Sequence, residues 1–163
     1  DSLVSAYDFM PTLLDYLGLK PLDMAKRPGV SFVPALLGQD FERPGGIVVM
    51  DEYGPNRMLR DQRYKYIARY PYGPNALYDL KADPGEQDNL LAHGGFEALE
   101  QELRGRLEKW FAKYVNPEID GAREAVFGSG QIGLAGLWGA GVSAHSCDDY
   151  IKKNPNYALY RVK

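Results

Sequence analysis

Cysteine is nearly absent from this chain. Cys147 is the single one in 163 residues, so no internal disulfide forms and no zinc quartet of cysteines is available. Histidine is almost as scarce. His93 and His145 are the two side chains that titrate near neutral pH without perturbation, and they lie far apart in the chain. No apolar run approaches the roughly 20 residues a membrane helix needs, so no membrane partner is expected. Lysine and arginine are dispersed, with no run that would follow a phosphate backbone, and the net charge is -3. No nucleic-acid partner is expected either. The chain opens on Asp1-Ser2 without a methionine, a basic region or an apolar signal segment, which points to a start inside a longer chain. The compartment stays open: periplasmic, secreted or cytoplasmic.

What is present is a folding composition, 45% hydrophobic and 25% charged, enough for one ordinary core. Asp8 can cap a helix that accepts Pro11 in its first turn and closes at Gly18. Phe9, Leu13, Leu14 and Leu17 recur on it at helical spacing and predict one buried face. Ser31 can cap a second short helix through Leu37, with Pro34 in its first turn and Gly38 at its end. Ile47 to Met50 is an apolar run of strand length entered through Pro44-Gly45-Gly46. Arg57 to Arg60 and Tyr64 to Tyr70 read as two strands joined around Asp61-Gln62-Arg63. Tyr64, Tyr66, Ala68 and Tyr70 share one face of the second, which reads as a packed sheet face. Ala76 to Leu80 is a further short strand. Asp83-Pro84-Gly85-Glu86 is a turn, with Gly85 expected at its second central position.

From Phe96 to Tyr114 the period becomes helical. Leu99, Leu103, Leu107, Trp110, Phe111 and Tyr114 fall on one side, with Glu97, Glu100, Gln101, Glu108 and Lys109 on the other. These elements predict an α+β fold: a small, mostly antiparallel four-stranded sheet covered by one long C-terminal helix. Two short helices precede it, and an extended Gly-rich tail follows. The expected organisation is helices over residues 1–43, sheet and helix over 44–116, and tail over 117–163.

Few constellations promise chemistry. Gly128-Ser129-Gly130-Gln131-Ile132-Gly133 matches the dinucleotide fingerprint by letter, but it lacks a preceding buried strand and a following helix. His145 near Ser143, Ser146 and Cys147 has no nucleophile elbow, so no catalytic residue is assigned on this chain. Asp148-Asp149 reads as loop charge, and no metal ligands or cofactor are assigned to these residues. Asp51-Glu52 closes a strand beside Tyr53, Asn56 and Arg57. Acid, phenol, amide and guanidinium in that position suit a polyhydroxylated or anionic substrate.

Four segments in order carry a resemblance: SAYDFMPTLLDYLGL, PGVSFVPALLGQD, RMLRDQRYKYI and ALYDLKADPGEQDNL. Together they cover roughly residues 3 to 112. They resemble the C-terminal part of type I sulfatases, in the alkaline-phosphatase-like superfamily, with Asp61 where the family more often has threonine. The resemblance implies an N-terminal catalytic domain as the partner of this chain. There a cysteine in a Cys-x-Pro-x-Arg motif becomes formylglycine beside a calcium ion. Cys147, followed by Asp148-Asp149-Tyr150, departs from that motif. The resemblance further implies that the helices within residues 1–43 are the end of the catalytic domain, that residues 44 to 115 are a smaller subdomain buttressing it, and that Glu52, Tyr53, Asn56 and Arg57 line the mouth of its substrate site. Arg60 and Lys65 become structural ion-pair partners. The substrate implied is a carbohydrate or small-molecule sulfate ester, and this chain alone should be inactive, with the helix face around Phe9, Leu13 and Leu14 lacking its cover and favouring self-association. Two alternatives fit the same residues: a phosphonate or phosphodiester hydrolase of the superfamily, or a stand-alone binding module without chemistry.

Overall fold

The computed structural model describes residues 2–19, 23–51, 56–70 and 74–123. Most of the expected tail, including the glycine fingerprint, His145, Cys147 and Asp148-Asp149, lies outside the described residues, as do Glu52 and Tyr53. Two helices, α1 (Phe9–Tyr16) and α2 (Val33–Leu36), precede four strands: β1 (Ile47–Met50), β2 (Asn56–Arg60), β3 (Tyr64–Arg69) and β4 (Ala76–Asp79). The long helix α3 (Glu97–Tyr114) follows. The strands form one antiparallel meander in the order β1-β2-β3-β4. The fold is α+β, as the periodicities predict.

Register explains the core. Val48, Leu59, Tyr66 and Leu77 are cross-strand partners in one row, and all four are buried. Because side chains alternate along a strand, one row of matched residues gives one continuous face. α3 lays Leu103, Leu107 and Phe111, four residues apart, onto that face. Tyr64 and Tyr70 pack at the margins of the same cluster, so the tyrosine stripe is a packing surface. The opposite face carries Val49, Met58 and Ile67 in a second row, flanked by Arg60 and Lys65.

Gly46 makes the lead-in to β1 possible. Its φ is +80°, and a Cβ there would lie 2.5 Å from the Arg60 carbonyl oxygen, so only glycine fits both demands. The turn after β4 differs from expectation. Among the described residues, Glu86 rather than Gly85 takes the left-handed conformation, with φ 54°. The Glu86 amide closes the turn on the Asp83 carbonyl at 3.2 Å, and its side chain meets Lys65 Nζ at 2.5 Å. That ion pair holds the glutamate where a glycine would sit more easily. The other expected ion-pair residue, Arg60, is exposed.

The family-like Asp-Pro-x-Glu-x-x-Asn-Leu stretch is explained by these contacts. Asn89 Oδ1 accepts from the Leu77 and Leu91 amides at 2.9 and 3.2 Å, and its Nδ2 donates to the Asn75 carbonyl. One side chain thus covers the outer edge of β4 and starts the next turn. Asp79 Oδ2 accepts from Arg63 Nε and Nη2 at 3.0 and 2.8 Å, joining the β2–β3 hairpin to the end of β4.

The helical lead-in corrects one expectation. Asp8 makes no side-chain cap on α1. It is fully buried and accepts from Arg43 instead. The apolar face of α1 lacks a cover, as expected for part of a longer chain: Phe9, Leu13 and Leu17 are exposed, while Pro11 and Thr12 are inside. The Thr12 hydroxyl sets this orientation by donating to the Asp8 carbonyl and accepting from the Phe32 amide. The first residues of the expected tail, 117–123, form two short 3-10 turns.

Candidate functional site

The two described members of the expected substrate patch are Asn56 and Arg57, at the start of β2. Being adjacent on a strand, they point to opposite faces of the sheet. Asn56 lies opposite Arg69 on the face away from α3, and its Nδ2 donates to Asp51 Oδ2 at 2.6 Å. The Asp51 amide donates to the Asn56 carbonyl at 3.0 Å. Asp51 and Asn56 therefore fasten the two ends of the connection that carries Glu52 and Tyr53.

Arg57 lies opposite Ala68 on the α3 face and is 5% exposed. Its guanidinium stacks 3.7 Å from the Phe111 ring centre and 5.0 Å from that of Tyr70. It also pairs with the Asp120 carboxylate. Burial lowers the affinity of Arg57 for its proton, and the neighbouring Tyr70 and Asp51 oppose that shift. Around it is an open cleft of about 440 Å³, lined by Tyr70, Glu108, Phe111, Val115 and Asp120 among others. Asp120 was invisible to sequence reading, because nothing in Asn116 to Ala122 announces a return to the sheet.

Two other polar clusters emerge. The Tyr66 hydroxyl donates to Glu100 Oε1 at 3.2 Å and accepts from Arg104 Nε at 3.2 Å, while Asn75 Nδ2 donates to the same Glu100 oxygen at 3.0 Å. Glu100, expected on the solvent side of α3, is drawn in because a buried phenol needs an acceptor. Desolvation pushes the Tyr66 phenol up to about 12, against the lowering effect of Arg104. At the β2–β3 hairpin, Asp61 accepts from the Arg63 and Tyr64 amides and from Arg106. Burial raises its pKa, and these hydrogen bonds together outweigh that and lower it. His93 is exposed, with Nε2 2.6 Å from Asp88 Oδ1.

Among the described residues, no group of three or more His, Cys, Asp or Glu side chains could hold a metal ion. No described helix is long and apolar enough to cross a membrane.

No family model matches the chain. Individual proteins do. It is 33% identical over 113 residues to a Delta 4,5-hexuronate-2-O-sulfatase of Bacteroides thetaiotaomicron, a match covering 65% of this chain and 23% of that protein. The chain is related to the sulfatases. It is also 29% identical over 147 residues to an ulvan-active sulfatase of Formosa agariphila, covering 68% of this chain and 29% of the relative. The solved structure of a 2-O GAG sulfatase superposes with a TM-score of 0.55 at 32% identity, over 64% of this chain and 24% of that one. The chain thus spans about a quarter of the length of the relatives it matches.

Proposed function

We propose that this chain is the C-terminal, non-catalytic part of a sulfuric ester hydrolase acting on a sulfated carbohydrate. Its sheet and α3 buttress the catalytic domain, which supplies the nucleophile and metal site. The observation that carries the reading is the match to the hexuronate 2-O-sulfatase, which uses most of this chain and 23% of the relative. The carbohydrate substrate class comes from the names of that protein and of the ulvan-active sulfatase.

In this reading the β1–β2 end of the sheet faces the substrate. Glu52 and Tyr53 offer an acceptor and a phenol to sugar hydroxyls, and Asn56 offers an amide beside them. Arg57 presents its guanidinium through the cleft, where an anionic group of the sugar would compete with Asp120. Because Asn56 and Arg57 occupy opposite faces, they serve different parts of the substrate.

Two experiments test this. The isolated chain is assayed against aryl sulfate and aryl phosphate esters in parallel, and neither is expected to turn over. Hydrolysis of a sulfate ester at an enzymatic rate by the isolated chain would sink the reading. In the second, residues 1–123 replace the matching segment of the hexuronate 2-O-sulfatase. Sulfatase activity is expected to survive, and Asn56→Ala is expected to raise KM several-fold with a smaller change in kcat. An unchanged KM removes Asn56 from the substrate site.

A further inference from the structure

The face of the sheet turned away from α3 alternates apolar and cationic rows. Val49, Met58 and Ile67 form the apolar row. Arg60, Lys65 and Tyr78 stand on one side of it, and Asn56 and Arg69 on the other. Val49 and Arg60 are exposed, and the rest are partly so.

The charge on this face is out of balance. Arg60 and Lys65 lie directly opposite each other across β2 and β3, a placement in which like charges disfavour strand pairing. Glu86 neutralises Lys65, but Arg60 stays exposed, with no carboxylate in salt-bridge reach among the described residues. Arg69 has none there either, and its Nη1 donates to the Pro74 carbonyl at 2.7 Å. Arg43, Arg57, Arg63 and Arg106 each meet an aspartate. In a chain of net charge -3, one face thus keeps two arginines unneutralised.

Register gives the face a direction. Asn56 and Arg69 are cross-strand partners at the β1–β2 end of the sheet, where the substrate is read to enter. From there the apolar row leads on to Arg60 and Lys65. Lys65 and Arg69 are four residues apart on β3, about 13 Å along the strand. One sulfate cannot bridge that gap, but a chain bearing several can.

We propose that this face is a second binding surface for a sulfated polysaccharide, a track that holds the polymer beyond the reacting sugar. It rests on the reading of the chain as part of a carbohydrate sulfatase and deepens it, making the substrate a polymer rather than a short fragment. The chemistry of the occupant matches each row. The C–H faces of sugar rings lie on Val49, Met58 and Ile67, with the Tyr78 ring beside them. Sulfate groups meet the planar guanidinium forks of Arg60 and Arg69. Such a track raises the effective concentration of substrate at the mouth and weakens as salt screens it. The catalytic domain then packs against other surfaces of the chain.

The test begins with the 163-residue chain and a fluorescently labelled heparin oligosaccharide, with unsulfated dextran beside it. Saturable, salt-sensitive binding of the sulfated probe is expected, and none of dextran. Arg60→Gln with Arg69→Gln is expected to weaken binding at least fivefold at unchanged circular dichroism. Val49→Asp, at an exposed position in the apolar row, is expected to weaken it at least threefold. Lys109→Gln with Lys113→Gln removes two charges from the exposed side of α3 and is expected to change it less than twofold. Equal losses in the two double variants would reduce the binding to bulk charge and overturn the proposal, as would a wild type that does not bind. A tight dimer in sedimentation that Val49→Asp dissolves would name a second copy as the occupant and overturn it too.

The chimaera in which residues 1–123 replace the matching segment of the hexuronate 2-O-sulfatase separates the track from the reading beneath it. Its substrates are a sulfated decasaccharide and a disaccharide with the same reacting end sugar. The arginine pair is expected to raise KM for the longer one at least fivefold more than for the shorter. Equal rises would make the arginines contacts of the reacting sugar or of the catalytic domain, and overturn the track alone. A parent chimaera without activity, beside an active natural enzyme, overturns the sulfatase reading, while the heparin result still decides the surface.

Discussion

Arg43 grips Asp8 with two parallel hydrogen bonds, Nε to Oδ2 at 3.0 Å and Nη2 to Oδ1 at 2.7 Å. Both residues are almost wholly out of water. The Ser5 and Val30 amides complete the carboxylate's shell at 2.8 and 3.0 Å, and Arg43 Nη1 reaches the Gly46 carbonyl at 2.8 Å. One ion pair thus joins three separate segments: the start of α1, the loop before α2 and the glycine turn before β1.

Breaking that pair on one side strands a buried charge. Asp8→Asn is expected to destabilise the chain by about 3–5 kcal/mol, measured by urea unfolding. Replacing both partners, Asp8→Leu with Arg43→Met, is expected to cost clearly less than the sum of the single changes. Additive losses would show that the two residues act independently.

Tyr66 sets an alkaline limit. Its phenol in the folded state is pushed up to about 12, first by desolvation, whereas an unfolded tyrosine titrates near about 10. The folded state thus holds the proton that the unfolded state releases. This contribution to stability is intact below pH about 10 and disappears as pH rises towards about 12. Absorbance titration of phenolate should show one late-ionising group that Tyr66→Phe removes. Persistence of the late step in that variant would assign it elsewhere.

Glu86 combines an unfavourable backbone with a favourable side-chain pair. Glu86→Ala and Glu86→Gly both lose Lys65, but only glycine adopts a φ of 54° without strain. The glycine variant is expected to be more stable than the alanine variant by about 1 kcal/mol in thermal or urea unfolding. Equal stabilities would mean that the left-handed conformation costs nothing there.

Arg57 depends on a flat cation. Arg57→Lys keeps the charge but loses the stack on Phe111 and Tyr70. It is expected to cost about 1–2 kcal/mol. Arg60→Lys, on the exposed end of the same strand, should stay within about 0.5 kcal/mol. Thermal unfolding of the two variants side by side decides this.

The sequence by itself determined the elements and their faces. Alternation placed Tyr64, Tyr66 and Ala68 on one side of β3, the four-residue steps of Leu103, Leu107 and Phe111 predicted the α3 stripe, and glycine marked the ends of α1 and α2. Such features are local, because a side chain's direction follows from backbone geometry within a few residues. Four short segments in the right order were enough to point to the sulfatases.

Only the tertiary structure decided which long-range partner each polar group finds. Asp8 looked like a cap and is the anchor of Arg43. Glu100 looked solvated and serves Tyr66 and Asn75. Asn56 and Arg57 looked like one patch and lie on two faces, with Asp120 returning over 63 residues to meet the guanidinium. The helical period of α1 and its uncovered face were legible, but not what chooses the orientation of the stripe. That choice belongs to the buried polar groups on its other side, which had to find partners wherever the chain brought them.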